Sequence, residues 1–414
     1  MIGKLIRYFC ALVFVAFFCG MKSTAIENRR GQLSPTNFPI NLPVVFLNTV
    51  SNKSVSGTPV PCIFRLETTN RHELSNRYGG MIRFHGATSQ GYPKKSYRIV
   101  LNTPVQLLDL RRSHQWVLNA AFVDPSLMRH KLSYDLFLSL STKDAPRYAA
   151  ASRFVELFLN DEYVGVYLLM ERVDRQLLNL RKFETNDFVH AVLYKAVDHS
   201  ANFGQTGYAG YEQQEPDFTK KPNYWQPLVE FNSFVSTAKN EEFFDKQSGI
   251  WSKLDIENAI DFHLLVLLTS NSDGITKNYY LARDGQEKPP LTVRFFFVPW
   301  DYDGTFGRNW DGSLYPHDVW LSNNLFDRLM QNRDYRKKFA ARWNELRKSQ
   351  FSERFIFDMI DKNVKELGEA VKRNSERWNQ NQQSIFYQDI QHIKNWVPKR
   401  LQWLDSEINR RAQD

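Results

Sequence analysis

The sequence of 414 residues holds only three cysteines, and two of them, Cys10 and Cys19, fall within the first twenty positions. No disulfide scaffold can be built from that set, so the fold must rest on its core. Long apolar runs are scarce as well. The stretch from Tyr8 to Cys19 is too short for the ~20 residues that span a bilayer. Neither sign of charge dominates: 54 Lys and Arg face 45 Asp and Glu, a net +9, and we find no internal repeat. What is present is 42% hydrophobic and 14% aromatic residues, the balance of a folded globule. A disordered tail, a collagen-like fibre and a multi-span membrane protein are excluded. Length fits two or three domains, or one bilobed enzyme.

The N-terminus has the form of a secretory signal peptide over residues 1–25. Lys4 and Arg7 precede the apolar run, and Ser23-Thr24-Ala25 offers a small-residue cleavage site. An uncleaved anchor is the alternative. Cleavage would remove three basic residues and no acid, and would leave Cys62 as the single cysteine. Cys62 lies in a strand-like run and reads as buried and structural rather than nucleophilic. The chain is expected to be exported, with no stable membrane span after cleavage.

The remainder divides into a β-rich part over residues 40–171 and a mainly helical part over 172–414. Strand patterns cover Pro43–Thr49, Cys62–Thr68, Gly80–His85 and Ser96–Leu101. A helix is predicted from Asp124-Pro125 to Leu140, and a hairpin over Phe154–Met170 with Asn160-Asp161-Glu162 as its turn. Residues 202–227 read as a long functional loop, a candidate for acceptor contact. Asp255 caps an apolar helix to Thr269. Helices follow around Asn324–Lys348, Glu353–Trp378 and Gln388–Arg410. Their lysines and arginines alternate with acids, and Phe339, Trp343 and Trp378 recur at helical spacing. That pattern is a solvated face over a packed one, not a nucleic-acid surface.

Chemistry concentrates in three segments. Arg83 to Arg98 (RFHGATSQGYPKKSYR) carries small residues and paired lysines, but it runs into a strand where a phosphate-binding P-loop would open a helix. Period-2 alternation with Tyr97, Ile99 and Leu101 puts Lys95 on the inward face, where an ammonium needs an anion. The second segment, NSDGITKNYYL, places Asp273 and Asn278 on a loop after the apolar helix. The third, VPWDYDGTFG, places Asp301 and Asp303 after an apolar strand, on one side of an extended chain, where they could share a Mg²⁺ ion. An Asx-turn uses the same residue types. The order of these parts matches the catalytic lobe of protein kinases, where a loop Asp, an Asn five residues on and a later Asp divide the work. The His-Arg before the loop Asp, the Lys two residues after it and the Gly-x-Gly-x-x-Gly loop are all missing, which excludes an orthodox kinase.

From about Leu42 to Gly307 the blocks RFHGATSQGYPKKSYRIVL, WVLNAAFVDPSLMRHKLSYDL, FVELFLNDEYVGVYLLMERVD, DGITKNYYL and VPWDYDGTFG resemble the spore-coat protein H (CotH) kinase family of secreted, atypical protein kinases. The resemblance implies an α+β, bilobed, kinase-like fold with a β-rich N-lobe and a mainly helical C-lobe. It implies transfer of the ATP γ-phosphoryl group to Ser or Thr of a protein acceptor with Mg²⁺ or Mn²⁺. Carried over, Asp273 is the catalytic base, and Asn278 and Asp301 are metal ligands with Asp303 as second choice. Lys95 is the phosphate-binding lysine with Lys94 as alternative, and Glu171 sits at the hinge that meets adenine through backbone groups. Arg83 and Arg129 are phosphate or ion-pair residues, and Asp135 is the guess for the acid that pairs with the lysine. His85-Gly86-Ala87 stands where the family usually has Gly-Asn-Ser.

Two other readings start from the same residues. Asp301-Tyr302-Asp303-Gly304-Thr305 matches the Asp-x-Asp-Gly-Thr signature of haloacid-dehalogenase phosphatases, although that motif should open a βα domain. An exported adhesin or assembly factor that keeps the lobes without the activity is the other.

Overall fold

A computed structural model describes residues 38–68, 76–184, 186–378 and 382–413. The expected signal peptide lies outside them, and the account below concerns the unit from Ile40 to Asp414.

Seven strands close into a barrel: β1 (Val44–Thr49), β2 (Val60–Glu67), β3 (Tyr78–Phe84), β4 (Tyr97–Gln106), β5 (Arg112–Asn119), β6 (Ser152–Leu159) and β7 (Glu162–Glu171). Their order is β1-β2-β3-β4-β5-β7-β6, and a parallel pairing of β1 with β6 completes the ring. Alternation explains the interior: Val45, Leu47, Cys62, Phe64, Ile82, Ile99, Trp116 and Leu118 all point into one buried cluster. Cys62 is a free, buried thiol, and burial pushes its pKa up to about 11. The β6–β7 hairpin turns at Asn160-Asp161, both with positive φ, as a two-residue hairpin loop requires.

β7 is buried on both faces because a C-terminal helix covers its outside. α1 (Arg129–Leu138), α2 (Gln226–Thr237), α3 (Asn240–Phe243), α4 (Ile250–Lys253), α5 (Ile256–Thr269), α6 (Asn324–Leu329), α7 (Arg333–Leu346), α8 (Glu353–Leu367), α9 (Ala370–Trp378) and α10 (Gln382–Gln413) follow in chain order. α9 docks on the β6–β7 hairpin through Arg373, which forks onto the buried Glu156 of β6 at 2.8 and 2.7 Å, and through Asn374, which accepts from the Val166 N–H of β7 at 3.1 Å. Gly165 lacks the Cβ that would lie 2.5 Å from Asn374 Oδ1, so the approach requires glycine there.

A second sheet of four strands, β8 (Val192–Ala196), β9 (Tyr211–Glu215), β10 (Tyr279–Arg283) and β11 (Phe296–Pro299), has the order β11-β10-β8-β9 and is antiparallel throughout. The apolar α5 begins at Asp255 as expected, with the Asp255 side chain accepting from the Asn258 N–H at 3.0 Å. No described helix is long and apolar enough to cross a membrane.

Three expectations about elements need correction. The helix expected from Asp124 begins at Arg129, because Asp124 folds back in an Asx-turn onto the N–H groups of Ser126 and Arg129 and Leu127 takes a positive φ. The 202–227 segment is not all loop, since it contains β9, whose Tyr-Glu-Gln-Gln-Glu sequence carries almost no apolar signal. The helical blocks Asn324–Lys348 and Glu353–Trp378 are each broken once, at Met330–Asn332 and after Leu367.

Candidate functional site

The second sheet and α5 deliver two loops to the same place. α5 ends at Ser270 in a left-handed conformation, and Asn271 then organises both loops. Its Oδ1 accepts from the Gly274 N–H at 2.9 Å and its Nδ2 donates to the Asp301 carbonyl at 3.2 Å. Asn271 is buried, and it was not singled out from sequence because an amide inside a polar loop has no signature there.

Asp301 leaves β11 with φ +59. The chain is therefore not extended here, and the left-handed turn, not strand alternation, brings the two acids together. Its N–H donates to Tyr134 Oη at 2.8 Å, which fixes the turn against α1. Ligand atoms of Asp301, Asp303 and His130 lie within 4.8 Å of one another, so Asp301 and Asp303 do share one site. Burial, and after it the Asp301 carboxylate, push Asp303 well above the ordinary carboxylate range, with Asp124 and Asp273 adding to the effect. Asp124 and Asp273 have their own cations in Arg129 and Lys277, so the demand for positive charge falls on the Asp301–Asp303 pair, whose oxygen donors suit a hard divalent cation.

His130 belongs to this group, yet its tautomer gives it a different part. Its Nδ1 faces the Tyr302 N–H at 2.9 Å, and an amide N–H can only donate. Nδ1 is therefore the acceptor and the proton sits on Nε2, 3.6 Å from Asp301 Oδ1. Burial lowers the His130 pKa, which keeps the ring neutral. His130 thus turns an N–H toward Asp301, and the oxygen donors of this group are the two carboxylates. Beside it, the fully buried Arg129 joins Asp124 (2.5 Å), Asp389 on α10 and the Thr305 carbonyl (2.8 Å). Arg129 is an internal ion-pair residue that clamps the acid-bearing turn to both helices.

Asp273 lies one turn past α5. Lys277 Nζ sits 3.1 Å from its Oδ2 and His199 Nε2 3.7 Å from its Oδ1. Asn278 has φ +58, where asparagine is tolerated. Its backbone is spent on Ala196 O and the Trp300 N–H, and its amide makes no hydrogen bond among the described residues.

The lysines lie elsewhere. β4 starts only at Tyr97, so alternation does not reach back through the bend at Lys94 and Lys95. Lys95 donates to the Gln90 carbonyl at 2.7 Å in an exposed setting. Lys94 is the fully buried one. It bonds Val166 O and Asn374 Oδ1 and lies over the Tyr167 ring, and burial lowers its pKa to about 7. Asp135 pairs with Lys131 at 2.7 Å, not with either of these lysines. The Glu171 carboxylate accepts from the Arg111 N–H at 2.9 Å and its own N–H donates to Ala151 O, so both tie the barrel to itself. Arg83 stands on β3 directly opposite Arg98 on β4. Lys195 on β8 lies over the Trp300 ring and feels the charge of Asp301. Sequence reading missed it, because β8 carries no recognisable motif.

Residues 82–404 match the family described as CotH kinase protein. The chain is also 30% identical over 298 residues to the inner spore coat protein H of Bacillus subtilis (strain 168), covering 68% of this chain and 72% of that protein. The family match contains the blocks that supply Asp273, Asn278, Asp301 and Asp303, and on this extent of agreement the chain belongs to the CotH kinase protein family.

Proposed function

We propose that this chain is an exported, atypical protein kinase with a bilobed, kinase-like organisation, transferring the γ-phosphoryl group of ATP to Ser or Thr of a protein. The observation that carries the reading is the meeting of Asp301 and Asp303 within 4.8 Å on a loop tied through Asn271 to the loop of Asp273 and Asn278. Asp301 and Asp303, with the Asn278 amide, would hold Mg²⁺ or Mn²⁺, and the ion would neutralise phosphate charge. Asp273 takes the proton of the acceptor hydroxyl, with Lys277 Nζ 3.1 Å from its Oδ2 orienting the carboxylate. His130 and the Tyr134 hydroxyl hold Asp301 in place.

The phosphatase reading loses its scaffold. β11, which leads into the Asp-x-Asp-Gly-Thr sequence, is an edge strand paired antiparallel to β10, with no parallel βα neighbour in its sheet. The name of the Bacillus subtilis relative keeps an assembly role in view. Purified protein incubated with γ-labelled ATP, Mn²⁺ and a Ser/Thr-rich acceptor separates the two. Label transfer that vanishes in Asp301→Ala, with the fold retained, supports the kinase. Absence of both transfer and nucleotide-dependent melting shift favours the assembly factor.

A further inference from the structure

Of the ten tryptophans in the chain, nine are buried or half-buried. Trp310 is the exception at 50% exposed, and nearby Leu314 is 70% exposed. Single apolar residues in water are ordinary on a protein surface. This pair differs in where it stands, on the stretch of chain that continues directly from Asp303. After Gly304 the chain makes a tight hairpin over residues 308–314. Arg308 and Leu314 pair antiparallel, the Asn309 N–H donates to the Ser313 carbonyl at 2.8 Å, and the Gly312 N–H donates to the Asn309 carbonyl at 2.9 Å. Arg308 braces the turn by donating to the Gly312 carbonyl at 2.7 Å and to Asp389 of α10. The Asp311 carboxylate is used inside the turn, where it accepts from the Ser313 N–H at 2.9 Å and from the Ser313 hydroxyl. The exposure of Trp310 therefore belongs to a fastened turn. Among the described residues its indole makes no ring contact and no hydrogen bond.

Two contacts place this tip at the site. A Cβ on Gly304 would lie 2.6 Å from the Trp310 nitrogen and 3.0 Å from its Cα, so the Trp310 backbone rests on the residue that follows Asp303 and glycine is required there. The Ser272 hydroxyl donates to Asn309 Oδ1 at 3.3 Å, which ties the residue before Trp310 to the residue before Asp273. A second aromatic surface stands by on the barrel side. Tyr92, half-buried, stacks on Phe122 with ring centroids 5.4 Å apart. Burial raises the Tyr92 pKa, and Asp303, Asp301 and Asp311 each add to the rise. The acidic pair and the hairpin tip thus lie around one phenol.

A tryptophan held rigidly in water is suited to take up a second apolar side chain, because the contact removes area of both from water and costs the indole little entropy. We propose that Trp310, together with Leu314, selects the acceptor protein by receiving an apolar side chain that lies a few residues from the Ser or Thr whose hydroxyl meets Asp273. The occupant is a segment of the acceptor and not the nucleotide, because the hairpin is bonded to the loop of Asp273, where the hydroxyl must arrive. This inference rests on the kinase reading for the identity of that hydroxyl, and goes beyond it in naming the side chains that choose the acceptor.

The test is calorimetric titration of the full chain, with Mn²⁺ and a non-hydrolysable ATP analogue present, by Gly- and Ala-based peptides that hold one Ser. A single Leu is moved through the positions on either side of that Ser, and the peptide without Leu is the control. Wild-type protein should bind at least one Leu peptide about tenfold tighter than the control, the effect of one buried apolar side chain. Trp310→Ala should bring the two affinities together, while Trp310→Phe keeps most of the difference. The Mn²⁺-dependent melting shift should be the same in all three proteins. Should Trp310→Ala fail to fold, Leu314→Ser, expected to shrink the difference, decides. Equal binding of Leu and control peptides by the wild type, or a Leu preference that survives Trp310→Ala, overturns the proposal. So does a Trp310→Ala defect confined to the KM for ATP, which would make the nucleotide the occupant. A Leu preference that depends on Trp310 without any transfer from labelled ATP leaves the docking element standing and sinks the kinase reading. Transfer without such a preference does the reverse.

Discussion

Replacing Asp301 by Asn should stabilise the metal-free protein while abolishing its response to Mn²⁺. With ligand oxygens within 4.8 Å, the Asp301 and Asp303 charges repel by about 3 kcal/mol at an effective dielectric near 20. The Asp301 side chain is 45% exposed, and screening reduces that to about 1–2 kcal/mol. In EDTA the variant should therefore melt about 1–4 °C above wild type. Asn keeps the shape of the side chain, and the backbone bonds to Tyr134 and Asn271 survive. On addition of Mn²⁺ at a hundredfold excess over its Kd, wild type gains about 2.7 kcal/mol and the variant little, so the order inverts. The pH dependence follows from Asp303, whose folded-state pKa is raised. The folded chain then holds a proton that the unfolded chain has released, so metal-free stability falls as pH climbs from the ordinary carboxylate range through the raised Asp303 titration. Asp301→Asn should flatten that fall. Differential scanning fluorimetry with and without Mn²⁺ from pH 4 to 8 measures all of this. A variant that melts below wild type in EDTA, or equal Mn²⁺ shifts in both, would refute the shared-ion geometry.

Other outcomes follow from the same structure. Arg129→Met strands Asp124 as a buried acid and leaves Asp389 to Arg308 alone, and should cost about 3–5 kcal/mol, read from the urea midpoint. Lys94 has a folded pKa lowered to about 7, so the ammonium is penalised and native stability recovers as pH rises from 7 toward the ordinary lysine range. Lys94→Met should accordingly gain most against wild type near pH 6, with the advantage shrinking from pH 7 upward and lost only near the ordinary lysine value of about 10.4, in paired urea melts. Lys277→Met should lower kcat about 10–100-fold with the KM for ATP little changed, measured by label transfer. The Cys62 thiol, buried and shifted up to about 11, should resist a thiol reagent in native buffer and react at once in denaturant.

Much of the site could be read before any tertiary information. Asp273, Asn278, Asp301 and Asp303 announce themselves because each follows a buried apolar element, and the β6–β7 hairpin and the Asp255 cap carry strong local signals. Lys94 and Lys95 show where such reading stops. Alternation assigns a face only inside a strand, and these residues precede one, so the buried lysine and the exposed one came out exchanged. Lys195 had no motif at all.

The sequence by itself determined strands β1 to β4, the β6–β7 hairpin, the capped apolar helix α5, the acidic loops and their order, because caps, turns and periodic burial are local properties of the chain. It also determined that the fold depends on packing rather than disulfides. Only the tertiary structure decided what those loops meet. The left-handed turn at Asp301 and the tautomer of His130 set by the Tyr302 amide both arise where the second sheet and α1 come together. Contacts between residues more than a hundred positions apart, such as Tyr134 with Asp301, have no local signature, since each partner alone has the composition of an ordinary helix or turn.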